Sequence, residues 1–120
     1  AIHYVENDHI LLVGKYNGKI SVYETEFYNE ILSFQAHNTG VSSLTFDTNT
    51  KMIISGGQNA LIKSWDLNGS LSKSIPAHRF IIYGLKIFND SLSLSCSRDG
   101  SIKIWDNGYG HIGDGSHRAL

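Results

Sequence analysis

The chain has 120 residues, 41% hydrophobic and 18% charged, with ten Lys or Arg against eleven Asp or Glu. That length and composition suit one globular domain and exclude a disordered chain. A net charge of −1 without runs of either sign gives no electrostatic footprint for nucleic acid or an anionic membrane surface.

In chain order, residues 2–5 read as a short inner strand. Residues 10–24 read as two strands joined by a tight turn at Asn17-Gly18, because β-branched and aromatic residues flank a turn dipeptide. Residues 30–34 are an outer strand and 41–46 an inner one. The hairpin pattern returns over 52–66, turning at Asn59-Ala60, and 71–75 form the next outer strand. Residues 81–88 supply a further inner strand before a third hairpin over 92–106, turning at Asp99-Gly100. Pro76 falls in a connection, where it breaks no ladder. Helix-period amphipathicity is absent, so the fold class is all-β. Residues 107–120 hold four glycines and no alternation. They are expected to be an irregular tail, with Gly110-His111 leaving open a degenerate start of a fourth repeat.

The hairpins are copies of one another. Met52-Ile-Ile-Ser-Gly-Gly-Gln-Asn-Ala-Leu-Ile-Lys-Ser-Trp-Asp66 matches Leu92-Ser-Leu-Ser-Cys-Ser-Arg-Asp-Gly-Ser-Ile-Lys-Ile-Trp-Asp106 position by position. A third copy, residues 10–24, has Tyr23-Glu24 where the others have Trp-Asp. From Tyr23 to Trp65 is 42 residues and from Trp65 to Trp105 is 40, a period that fits a four-stranded unit. These residues resemble WD40 repeats over about residues 2–106. The resemblance implies a partial β-propeller of about three four-stranded antiparallel blades, at about 1–35, 36–76 and 77–106. The first copy is expected to be incomplete, with only residues 2–5 left for its inner strand.

In that family a loop His, a strand Ser or Thr, a turn Asp and a Trp form a hydrogen-bonded network inside each blade. Carried over, the set is His37, Ser55, Asn59 and Trp65 in the second blade, and His78, Ser95, Asp99 and Trp105 in the third. A buried imidazole, hydroxyl and indole N–H each need a partner, which gives the set its physical sense. The resemblance also points to a binding face built from residues just after the loop His and just before the turn Asp or Asn. Those positions are Tyr16, Asn38, Gly40, Gln58, Arg79, Ile81 and Arg98, and Tyr and Arg are the types that dominate binding hot spots.

Other signals are weaker. His, Ser and Asp are the parts of a catalytic triad, but they recur once per repeat, which an interior network explains and a single active site does not. The run Gly14-Lys-Tyr-Asn-Gly18-Lys19-Ile20 fails as a phosphate loop: three residues separate its glycines, and Ile20 stands where Ser or Thr is needed. None of the six histidines lies three or four residues from another, so no metal and no cofactor are expected. Cys96, the lone cysteine, excludes an internal disulfide, suits a reducing compartment and is expected to be buried and inert. Asn68-Gly-Ser70 and Asn89-Asp-Ser91 match glycosylation acceptors, yet they are turns in which Asn is expected anyway. The longest apolar runs, such as residues 10–13, are too short for a membrane span, and no signal region opens the chain.

The expected function is a non-enzymatic scaffold for a protein or peptide partner, without membrane or nucleic acid, in the cytoplasm. The alternative is a structural unit whose copies, or further blades, complete a closed propeller. A propeller enzyme or lectin is the remote alternative. The chain opens on Ala1 rather than Met, as expected of a processed product or a segment of something longer.

Overall fold

In the computed structural model, residues 1–106 and 108–116 are described, and they form three four-stranded antiparallel sheets. The first contains β1 (Ile2–Val5), β2 (Ile10–Gly14), β3 (Lys19–Glu24) and β4 (Glu30–Gln35). The second contains β5 (Val41–Asp47), β6 (Met52–Gly57), β7 (Leu61–Trp65) and β8 (Leu71–Pro76), and the third β9 (Ile82–Ile87), β10 (Leu92–Ser97), β11 (Ser101–Asp106) and β12 (His111–Ser116). Each sheet is a meander with its strands in sequence order. The inner strands neighbour one another, β1 beside β5 and β5 beside β9.

Three expectations change. The first sheet is complete in strand number, because four residues of β1 are enough to pair Ile2–Val5 with Ile10–Val13. Residues 111–116 form a strand on β11, where irregular chain was expected. This outermost strand is largely exposed at residues 111–115, so it needs no apolar alternation, and glycine costs it little packing. Gly110-His111 therefore enters the third blade instead of starting a fourth. Pro76 lies in β8, opposite Leu61, and because β8 is the outer strand the missing N–H breaks no ladder bond.

The turn between the third and fourth strands is built the same way in every sheet. Each ladder shifts register just before the aromatic, between Val22 and Tyr23, Ser64 and Trp65, and Ile104 and Trp105. The next residue is a carboxylate that collects turn N–H groups. Glu24 accepts from Glu26, Phe27 and Asn29, Asp66 from Asn68 and Ser70, and Asp106 from Gly108 and Gly110. The Asp of Trp-Asp thus satisfies orphan donors in a tight turn.

The core sits between sheets. One cluster joins Val5, Leu12, Ile20 and Val22 of the first sheet to Val41, Leu44, Phe46, Ile53 and Trp65 of the second. Another joins Ile54 and Ile62 of the second to Ile82 and Trp105 of the third. Successive strand residues point to opposite faces, so Ile53 packs toward the first sheet and Ile54 toward the third. The middle blade is apolar on both sides, and it needs both neighbours.

Polar ties reinforce the stack. Lys73 of β8 donates to the Gly108 carbonyl at 2.6 Å and lies over the Tyr109 ring at 5.3 Å. Burial and the nearby Asp47 charge push the Tyr109 phenol up to about 12. Asn49 bonds Asp90 across the second and third blades, and Lys51 pairs with Asp8 of the first at 2.7 Å. Half exposed, the Lys51 pair contributes at most about 1 kcal/mol.

Candidate functional site

Both blade networks are present. In the second blade the Trp65 Nε1–H donates to Ser55 Oγ at 3.0 Å, and Ser55 lies 2.8 Å from His37 Nε2. His37 Nδ1 is 3.3 Å from Asn59 Oδ1, which also accepts from the Leu61 N–H. An amide oxygen can only accept, so Nδ1 carries the proton and the Ser55 hydroxyl donates to Nε2. The order is indole to hydroxyl to imidazole to turn, with no group left over.

The third blade repeats it more strongly. Trp105 donates to Ser95 at 2.9 Å, Ser95 is 2.7 Å from His78 Nε2, and His78 Nδ1 is 3.0 Å from Asp99 Oδ2. Asp99 also accepts from the Arg79 N–H at 3.1 Å and from the Ser101 N–H and hydroxyl. Burial works to raise the Asp99 carboxyl, but the bonds from Ser101, Arg79 and His78 outweigh it and hold the group below the usual carboxylate range. His78 is lowered, chiefly by burial, despite the Asp99 charge. The first blade has Val13 and Tyr23 at the Ser and Trp positions and no such chain of bonds.

His37 is 1% exposed, and burial, helped by Lys63, lowers its imidazole to about 4. The unfolded chain therefore takes up this proton first as the pH falls. Stability from His37 is complete above about pH 6.5, declines as the pH drops and is fully lost near pH 4. We expect urea unfolding to show a loss of about 2 kcal/mol across that window from His37, and a His37→Gln variant, weaker at pH 7, to lose that share of the slope while the lowered His78 keeps its own. Asp99 acts lower, because its stabilisation fades only as the pH falls below the ordinary carboxylate value of 3.8.

The networks have the parts of a hydrolase and the wrong placement. Ser55 and Ser95 are 0% and 1% exposed, each roofed by an indole N–H, so no substrate carbonyl reaches either hydroxyl. Their output is rigidity, which fixes the loops that carry the rim. Among the described residues no three His, Cys, Asp or Glu side chains group as metal ligands.

At the rim, Gln58, Arg79, Ile81 and Arg98 come together with Asn59 and Phe80 around one open hollow of about 550 Å³. Phe80 is 56% exposed. Neither guanidinium meets an acidic side chain among the described residues. Asn38 is exposed and accepts from the Asn59 amide at 3.2 Å, and Tyr16 stands 87% exposed on the first blade. Gly40 is the exception to the expected surface. It is buried under Gln58, where an added Cβ would lie 3.1 Å from the Gln58 amide and 3.2 Å from the Tyr16 carbonyl. Its part is to let two loops approach.

Sequence reasoning missed Lys63 and Lys103, whose ammonium groups donate to the Ala36 and Ala77 carbonyls just before each loop His. The repeated Ile-Lys-x-Trp spacing carried the signal. It also missed Phe80 in the hollow and Ser101 on Asp99. Cys96, expected to be buried, is only partly so, because it lies on the outward face of the third sheet.

Three stacked antiparallel blades, two with an internal Trp–Ser–His–turn network, define a propeller-type repeat protein. The family model for the WD domain, G-beta repeat, matches residues 28–66 and 69–106, and the chain belongs to the WD40 family. COMPASS component SWD3 of Saccharomyces cerevisiae is 39% identical over 87 residues, 70% of this chain and 28% of that protein. Polyadenylation factor subunit 2 of Candida albicans is 29% identical over 97 residues, 80% of this chain and 18% of that one. The chain thus spans less than a third of either relative. Among solved structures, U3-55K superimposes with a TM-score of 0.88 at 17% identity, over 97% of this chain and 38% of that chain. The RRP9 WD40 repeats give 0.86 at 17% identity, over 94% and 37%. These two likenesses concern the fold alone.

Proposed function

We propose that the chain is a non-catalytic interaction module that holds an acidic segment of a protein or peptide partner on the rim formed by Gln58, Arg79, Ile81 and Arg98. The carrying observation is the pair of arginines with no acidic partner among the described residues, beside an exposed Phe80, on loops pinned by the His78–Asp99 network. Arginine presents a planar fork that fits a carboxylate with two parallel bonds, and an adjacent aromatic adds apolar area at low entropic cost. The relatives are named as a component and a subunit of larger assemblies, which supports a scaffold role. A cytoplasmic location belongs to this reading and rests on the lone thiol.

The test is a labelled glutamate-rich peptide followed by fluorescence anisotropy. The wild-type chain should bind it, with an affinity that falls as salt rises. Arg79→Ala combined with Arg98→Ala should abolish binding while the circular dichroism spectrum stays the same. Unchanged affinity in the double variant would remove this face from consideration.

A further inference from the structure

The hollow on the third blade has a buried support that the matching position of the second blade lacks. β10 ends on Ser97, which is 0% exposed, where the ladder to β9 shifts register between Cys96 and Ser97. The Ser97 hydroxyl donates toward the Phe80 carbonyl at 3.0 Å and the Ile81 carbonyl at 2.9 Å, and it accepts from the Asp99 N–H at 3.1 Å. The Arg98 N–H donates to the same Ile81 carbonyl at 3.1 Å, and the Arg79 N–H donates to Asp99. Residues 79–81 are thus tied to the turn of residues 97–99 at every step, and Ser97 bonds to both segments at once. All of these contacts lie within one blade.

The second blade shows the same position without a hydroxyl. Gly57 stands there, at a register shift in the same step of its ladder. A Cβ added to Gly57 would lie 2.6 Å from His37 Nδ1, so no serine fits. The Gln58 N–H still donates to the Gly40 carbonyl at 3.0 Å, and that bond serves a loop of small residues, Asn38-Thr39-Gly40. The third blade carries Arg79-Phe80-Ile81 instead, with Arg79, Phe80 and Arg98 exposed. Exposed side chains give a loop little packing of its own, so its backbone bonds decide how firmly it is held.

We propose that Ser97 is a positioning residue of the rim: its hydroxyl sets residues 79–81 against the turn of Arg98, so that both guanidinium groups and Phe80 meet the partner's carboxylates as one preformed surface. Ser97 is buried and touches no partner itself. It acts by lowering the cost of ordering two long side chains and an aromatic when the partner binds. This role rests on the reading of the rim as the site for an acidic segment.

The labelled glutamate-rich peptide, together with limited trypsin digestion, tests it. Ser97→Ala should weaken binding roughly tenfold, the equivalent of one lost hydrogen bond. In an Arg79→Ala background the same change should add little, because a residue acting through the arginines loses most of what it positions. Trypsin should cut Ser97→Ala after Arg79 faster than it cuts Val22→Ala, a core variant of the first blade, when urea brings the two to equal global stability. The Asp99 amide of the wild-type chain should exchange slowly with deuterium, a measurement that needs no variant. Wild-type affinity in Ser97→Ala, full additivity with Arg79→Ala, equal cutting of the two variants, or an Asp99 amide exchanging like open chain would each overturn the proposal and leave the rim reading standing. A wild-type chain that binds no peptide would instead overturn the rim reading and the positioning role with it, while cutting after Arg79 still reports whether Ser97 holds the loop.

Discussion

Trp65→Ala is expected to cost about 3–5 kcal/mol in denaturant unfolding, the loss typical of a large aromatic removed from a core. Trp65 is 6% exposed, belongs to the cluster shared by the first and second blades, and lies 4.9 Å from the Phe34 ring. Its removal opens a cavity between sheets and also deprives Ser55 of its indole donor. Trp65→Phe should lose about half as much, because the ring still fills space beside Phe34 while the N–H is gone. Total stability for domains of this kind is about 5–15 kcal/mol, so the alanine variant stands near the edge of folding. A loss under about 1 kcal/mol for Trp65→Ala would contradict the placement of the indole in the core.

Asp99→Ala is expected to cost about 3 kcal/mol and Asn59→Ala about 1 kcal/mol, although the two residues occupy the same position in successive blades. Asp99 is a charged acceptor serving His78, the Arg79 N–H and both donors of Ser101, and its side chain is 8% exposed. Asn59 is neutral, and its bonds to His37 and the Leu61 N–H are both 3.3 Å long. Removing Asp99 leaves several donors without a partner at once. Asp99→Asn should fall between the two, since it keeps the shape and loses the charge. Equal losses for Asp99→Ala and Asn59→Ala, measured in the same urea series, would refute the difference assigned to the two networks.

Much of this fold was legible because its physics is local. Turn dipeptides at Asn17-Gly18, Asn59-Ala60 and Asp99-Gly100 sit at the hairpin tips, and the second residue of each has positive φ. Only Ala60 adopts it without being glycine, at the steric cost that an L side chain incurs there. Alternation of apolar residues placed the central strands to within a residue or two. The network residues were legible for another reason: they match the loop His, strand Ser, turn Asp or Asn and Trp that the resemblance to WD40 repeats implies. Lys63 and Lys103 show the limit. Their pattern repeats as plainly as the histidines do, but a lysine on a strand suggests solvent until a carbonyl is seen within reach.

Strand β12 was illegible because nothing in Gly108–Ser116 alternates. Its pairing follows from hydrogen bonds to β11, from the Asp106 cap and from Lys73 reaching over to Gly108 and Tyr109. Of these only the Lys73 contact comes from far away in sequence, 35 residues before Gly108. The burial of Gly40 is similar, since it depends on where Gln58 and the Tyr16 carbonyl fall.

What the sequence by itself determined is the repeat of about 40 residues and its hairpin turns, with the His, Ser, Asn or Asp and Trp of each network following from the family resemblance. What only the tertiary structure decided is which faces are covered. Leu12, Ile54 and Leu94 occupy one position in three copies, and the first two are buried while the third is partly open. Identical local chemistry cannot tell them apart, because burial belongs to the neighbouring blade and not to the residue. The same holds for the rim, where Arg79 and Arg98 lie 19 positions apart in the chain and become one cationic hollow when the third blade closes its loop on its own hairpin turn.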